Sequence, residues 1–251
     1  MYETLKISRD ARDVQYVAMN RPAKRNALSA QMIADLTDMA KTIPEGTRAV
    51  VLSGEGAVFC AGGDLEWMQQ QINADRSTRM AEARKLAMML DALNTMPAPL
   101  IGRIHGGAFG GGVGLACVCD VAVAACDCKF GLTETRLGLI PATISPYVLA
   151  RMGEGNARRV FMSARVFDAA QAAALGICSP PVGTDDLDAA VESEIAPYLK
   201  TFPEAVARAK SLARALGPKI DDTVIDACIE ALADTWETPA AAEGIARFLG
   251  K

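Results

Sequence analysis

Apolar and polar positions divide the chain into two unlike parts. Over the first 140 or so residues, short apolar runs alternate with stretches of helical spacing. Leu5–Ser8 and Val14–Met19 read as paired strands around the polar turn Arg9–Asp13. A loop marked by Pro22 spans Asn20–Asn26, and Ser29–Lys41 has helical spacing with Ser29 placed to cap it. Arg48–Ser53 is a short apolar strand, Gly54–Gly56 a turn, and Val58–Cys60 runs on toward a glycine stretch. Asp75–Thr95 repeats apolar residues at Met80, Ala83, Ala87, Leu90 and Leu93, a helical period that Pro97 and Pro99 stop. Leu100–His105 and Val121–Ala124 read as strands on either side of a small-residue helix over Gly110–Cys119. This alternation predicts stacked βαβ-like units. Further on, helical spacing dominates: Ile144–Met152, Ala157–Ser163, Ala169–Leu175, Asp185–Lys200, Pro203–Leu216, Asp221–Ala233 and Ala240–Leu249. With no fixed-period repeat and no low-complexity linker, a single domain over 1–251 is expected.

Two glycine stretches interrupt the pattern, Phe59-Cys60-Ala61-Gly62-Gly63-Asp64-Leu65 and His105-Gly106-Gly107-Ala108-Phe109-Gly110-Gly111-Gly112-Val113-Gly114. Each follows a strand-like run and opens into a helix-like run. Such turns expose backbone N–H groups that can point at a negative oxygen. One N–H from each turn would make an oxyanion hole, and a carboxylate nearby would move a proton at the carbon beside a carbonyl. Glu134, within Phe130–Pro141, is an acid among apolar residues, where a raised pKa suits proton transfer. It reads equally as an exposed first-turn acid favoured by a helix dipole. The chemistry needs no metal, nucleophile or redox cofactor.

Other chemistries fit poorly. A dinucleotide fingerprint fails in the triple-glycine turn, because Leu115 or Cys117 falls where glycine is required. With one histidine, His105, and no Gly-x-Ser-x-Gly elbow, a serine hydrolase is disfavoured, and His105 reads as structural. Trp67, Met68, Met88, Met89 and Met96 read as core or pocket wall. The formal net charge of −4 argues against general nucleic-acid binding but leaves room for a phosphate-bearing ligand held by a few local cations. The seven cysteines include no Cys-x-x-Cys pair and read as buried, reduced thiols rather than a metal site. No run is long and apolar enough to span a membrane, so a reducing, cytoplasmic setting is the expectation.

Five segments, Asn20–Leu28, Phe59–Leu65, Ile104–Asp120, Phe130–Pro141 and Gly244–Phe248, together resemble the crotonase superfamily, the enoyl-CoA hydratase/isomerase family. The resemblance runs over nearly the whole chain. It implies an α/β fold, the ClpP/crotonase-like spiral of ββα units forming two roughly perpendicular sheets over about 1–195. It implies a helical region over about 196–251 that packs on a neighbouring subunit, in a homotrimer or a hexamer. By the family's pattern the N–H groups of Gly63 and Gly111 form the oxyanion hole, and Glu134 is the family's second catalytic carboxylate. Arg21, Lys24 and Arg25 could meet the CoA phosphates. Ala27, Ala61 and Leu65 match positions along the adenine and pantetheine path. Asp64 stands in the same substrate-binding loop, although a capping role suits it better. Coenzyme A enters only as part of the substrate thioester, with no separate cofactor.

One departure matters. The best-known hydratases carry a first carboxylate 20 residues before the second, and that place holds Gly114. Three readings remain open. Glu134 with backbone groups holds water in a one-carboxylate enoyl-CoA hydratase; Glu134 shuttles a proton between C2 and C4 in an isomerase; or the gap at Gly114 admits a bulkier, branched acyl chain. Leu137–Tyr147, with His105-Gly106 and Val113-Gly114-Leu115, is similar to bacterial methylglutaconyl-CoA hydratases and puts the hydratase first, on a branched or glutaconyl-type substrate. A non-catalytic acyl-CoA-binding protein is the reading from a different class.

Overall fold

The computed structural model describes residues 2–248 and 250. Strands β1 (Leu5–Arg9) and β2 (Val14–Met19) pair antiparallel, Leu5 opposite Met19. Helix α1 (Ala30–Lys41) starts where expected, with the Ser29 side chain accepting from the Met32 N–H. It buries Met32, Leu36 and Met39 in the main core. β3 (Ala49–Gly54), α2 (Leu65–Asn73), α3 (Arg76–Thr95), β4 (Leu100–Ile104), β5 (Gly107–Phe109), α4 (Gly111–Val118), β6 (Val121–Ala124) and β7 (Lys129–Gly131) follow. One sheet has the order β1-β2-β3-β4-β6 and is parallel from β2 onward. The other runs β5-β7-β8, where β8 is Val166–Asp168. In each of two units a strand segment, a glycine turn and a helix follow one another, so that α2 and α4 come after corresponding turns.

Three short strands and α2 were not expected from the sequence. β5, β7 and β8 are three residues each, too short to show alternation. α2 is polar along most of its length and buries only Gln71. Its start is fixed instead by a cap, since Asp64 accepts from the N–H groups of Glu66 and Trp67.

The later helices are α5 (Ser145–Met152), α6 (Glu154–Phe161), α7 (Ala169–Ala174), α8 (Leu187–Ile195), α9 (Pro203–Leu216), α10 (Asp222–Trp236) and α11 (Pro239–Phe248). The helix expected over Asp185–Lys200 is broken into a 3-10 turn at Thr184–Asp186, α8, and a second 3-10 turn at Tyr198–Lys200, with Pro197 between the last two. Gly153, at φ 73°, ends α5 and begins α6, which therefore starts earlier than the pattern over Ala157–Ser163 suggests.

The expected C-terminal region divides in two. α10 buries Ile225 and Ile229 against Ala83 and Ala87 of α3, and α11 packs Ala241 and Ile245 on Leu139. These helices thus cover their own chain. α9 buries no residue. No helix among the described residues is long and apolar enough to cross a membrane. The thiols of Cys60, Cys117, Cys119 and Cys128 are buried, but Cys126 is exposed and Cys178 and Cys228 are half-buried, so the expectation of uniformly buried cysteines is corrected.

Candidate active site

The two glycine turns lie against each other. The Phe59 N–H donates to His105 O at 2.9 Å, Cys60 N–H to Gly107 O at 3.1 Å, and Phe109 N–H to Cys60 O at 3.0 Å. This short ladder brings the ends of two strand segments together, and the turns beyond them meet. Gly62 has φ +95°, and a Cβ there would stand 2.9 Å from Phe109 O. A Cβ on Gly110, at φ +49°, would stand 2.9 Å from Glu134 Oε1 and 3.9 Å from Gly62 Cα. Only glycine permits that approach in those conformations. Gly63 and Gly111 follow one residue later in each turn. Among the described residues neither N–H donates to a backbone carbonyl outside its own helix. Gly111 opens α4, so its N–H has no acceptor within the helix either.

Glu134 begins a 3-10 turn, Glu134–Leu137, just beyond β7. The residue is half-buried, while its Oε2 is fully buried and has no hydrogen-bond partner among the described residues. Burial among apolar side chains pushes the carboxyl up to about 7, against a smaller lowering by a backbone hydrogen bond. A group poised near neutrality both takes and gives a proton.

Gly63, Gly111, Ala61 and Glu134 line one cavity of about 160 Å³. Its walls are apolar: Leu28, Met68, Ile140 and Ile144 from the body, and Leu232, Trp236 and Phe248 from the C-terminal helices. Trp67 and Met68 are wall residues, as their types suggested. Glu134 is the only ionisable side chain among the lining residues. A larger groove of about 1120 Å³ lies against α9. Its cations are already engaged, Lys210 with Asp120 at 2.7 Å and Lys219 with Asp221 at 2.6 Å, and it holds no buried unpartnered carboxyl.

The other expected contacts lie outside this cavity. The Arg21 guanidinium donates to Asp64 Oδ2 at 2.7 Å and to Ala27 O at 2.8 Å. Asp64 is buried, its second oxygen caps α2, and Arg21 and its other hydrogen bonds hold its carboxyl below the usual range despite burial. The pair is a structural tie that uses both oxygens of Asp64 and one end of the Arg21 guanidinium. Ala27 is buried and supplies the carbonyl of that tie. Leu65 is 49% exposed on the outer side of α2. Lys24 is exposed and donates to Glu66 at 2.6 Å. Arg25 makes no ion pair among the described residues, and its carbonyl accepts from Ala61 N–H at 3.0 Å, which sets the Arg21–Asn26 loop beside the first glycine turn. His105 Nε2 meets Gly56 O at 2.9 Å, a structural contact.

Gly114 is the clearest correction. A Cβ there would stand 2.6 Å from Ile144 Cγ2 and 3.0 Å from Ile144 Cβ. The space a second carboxylate would need is filled by Ile144, so Gly114 opens no room for a branched acyl chain and does not line the cavity. Sequence reasoning also missed Leu232, Trp236 and Phe248, which reach the cavity from helices far along the chain.

The profile of the enoyl-CoA hydratase/isomerase family matches residues 9–251. This chain belongs to that family. A putative enoyl-CoA hydratase of Thermus thermophilus is 31% identical over 246 residues, 95% of each chain. Among solved structures, an enoyl-CoA hydratase from Shewanella pealeana is 34% identical, with a TM-score of 0.83 over 100% of this chain and 94% of that one. A putative enoyl-CoA hydratase from Mycobacterium avium paratuberculosis reaches a TM-score of 0.86 at 29% identity, over 98% of this chain and 96% of that one. The fold is thus the crotonase fold, a mixed α/β spiral with C-terminal helices, and the chain is an enzyme of that family.

Proposed function

We propose that this chain is an enoyl-CoA hydratase that works with one carboxylate. The observation that carries the reading is the buried, unpartnered Oε2 of Glu134 beside two unengaged N–H groups in a single apolar cavity. The thioester oxygen sits between the Gly63 and Gly111 N–H groups. Glu134, as carboxylate, accepts a proton from water as the water oxygen bonds to C3. The C2–C3 π electrons move toward the thioester, whose oxygen becomes an enolate held by the two donors. Glu134 then returns the proton to C2, giving the 3-hydroxyacyl thioester. Loss of one such donor typically costs ~3 kcal/mol of transition-state stabilisation. Arg21, Lys24 and Arg25 are the cations near the first glycine turn that would meet the CoA phosphates, and we expect no cofactor beyond the CoA of the substrate.

Ile144 favours a second reading. With the place of a second acid filled, only Glu134 is left to orient water. The same carboxylate takes a proton from C2 of a 3-enoyl thioester and returns it to C4, moving the double bond without adding water. The family includes both hydratases and isomerases. The acyl chain is apolar in either case. A glutaconyl-type chain would bring a second carboxylate into a cavity whose only ionisable group is already an acid, a like-charge, desolvated pairing.

The deciding experiment offers the pure protein crotonyl-CoA, a 3-enoyl-CoA and 3-methylglutaconyl-CoA. A gain of one water in mass marks hydration; conjugated 2-enoyl absorbance at unchanged mass marks isomerisation. Turnover of none of them sinks the enzymatic reading, and fastest turnover of the glutaconyl ester sinks the apolar-chain reading.

A further inference from the structure

α11 touches the turn that carries Glu134 through bare backbone. Gly138 closes that turn at φ 69°, and a Cβ there would stand 2.5 Å from both C and O of Ala240 and 2.6 Å from Ala241 N. From the other side, a Cβ on Gly244 would stand 2.5 Å from Leu137 C and 2.7 Å from Leu137 O. Two glycines, more than 100 residues apart in sequence, thus let helix and turn meet with no side chain between them. The seam continues in Leu139, which buries against Ala241 and Ile245, and whose N–H donates to Glu134 O at 3.1 Å. Residues on α10 and α11 also wall the cavity into which the Glu134 carboxyl points.

We propose that α11 is a positioning element for Glu134, seated on its turn by Gly138 and Gly244 and setting where the carboxyl stands relative to Gly110 and the oxyanion turn. This rests on the reading of Glu134 as the proton carrier. The geometry explains why glycine stands at position 244 inside a helix, where it lowers helix propensity relative to alanine. If the seam served packing alone, parting it would lower stability but leave kcat and the acid limb of the folded protein where they were.

That contrast supplies the test. Gly244→Ala adds a single methyl that meets the Leu137 backbone, so turn and helix must part. Expected is a fall in kcat of tenfold or more, with KM for the CoA ester changed less than about threefold. The acid limb of kcat/KM should also move to lower pH, as water reaches the carboxyl. Ile245→Ala loosens the same seam without touching the glycines, and decides the matter if Gly244→Ala does not fold. It should lower kcat and move the limb in the same direction. A folded Gly244→Ala protein with wild-type kcat and an unmoved limb overturns the proposal; so does Ile245→Ala with both unchanged. Glu134→Gln, run in parallel, separates the two levels. If it keeps the wild-type rate, the reading of Glu134 itself has failed; if it is inactive while both seam variants are normal, only the positioning role has.

Discussion

Ionising Glu134 places a charge among Leu137, Leu139 and Ile140 with no cation in the cavity. Its folded carboxyl titrates at about 7, against 4.5 for the ordinary group. Between those values the folded protein binds more protons than the unfolded one, so this residue makes stability fall as pH rises across the window and level off above it. Glu134→Gln removes the effect. It is expected to match wild-type stability near pH 4 and to exceed it by roughly 1–3 kcal/mol near pH 8, read from thermal unfolding of both proteins in the same buffers. An equal difference at both pH values would show that the carboxyl is not desolvated as described. The same variant should lose nearly all turnover while still binding a CoA ester in a titration. Gly63 gives a cleaner test of the oxyanion turn. A Cβ there meets only Met68, no closer than 3.7 Å, so Gly63→Ala keeps both space and N–H and should remain active. Gly63→Pro removes the donor and should lower kcat by about 10²–10³-fold. If folded samples of the two variants show equal activity, Gly63 is not a donor.

Among elements, the strands and helices with a strong period were legible in the sequence. The glycine turns were legible because glycine between strand and helix is a local signal. Side chains filled from elsewhere were not. Nothing near Gly114 announces that Ile144 occupies its flank, and nothing near Arg21 announces that Asp64, across the loop, claims its guanidinium. α2 was missed although Leu65, Met68 and Ile72 have helical spacing, because the run is short and polar residues fill the rest of it. The α4–α5 contact yields its own prediction. Gly114→Glu drives a side chain into Ile144 and buries a charge, and should destabilise by about 2 kcal/mol or more. Ile144→Ala should cost about 2–4 kcal/mol by leaving a cavity. Combined, the two should cost clearly less than their sum, because the glutamate enters the space the isoleucine leaves. Denaturant unfolding of the four proteins measures the coupling. Strictly additive stabilities would mean that Gly114 and Ile144 do not share that space.

For the whole molecule, the C-terminal helices divide by what covers them. α10 and α9 are both amphipathic, yet α10 buries Ile225, Ile229 and Ala233 while α9 buries nothing. Phe202 is 81% exposed, Leu212 61% and Leu216 80%, beside the groove of about 1120 Å³ that Lys210 and Arg214 also line. A stripe of large apolar side chains left in water on a chain that is 51% apolar is what a subunit contact leaves on a single copy. The resemblance places the contact over about 196–251; we put it on α9, because α10 and α11 bury their main apolar residues in their own chain. We therefore predict that the protein assembles through α9, and that light scattering in solution gives three or six times the 26.5 kDa of one chain. Leu212→Asp with Leu216→Asp places two charges on that face without entering the chain's own core, so it should give a folded protein of lower mass. Activity is expected to persist in the dissociated protein, because Gly63, Gly111, Glu134 and the apolar wall all come from one chain. A wild-type mass of a single chain at micromolar concentration would end the assembly proposal. An unchanged oligomer in the double variant would move the contact off α9, and loss of activity on dissociation would mean that a neighbouring copy completes the cavity.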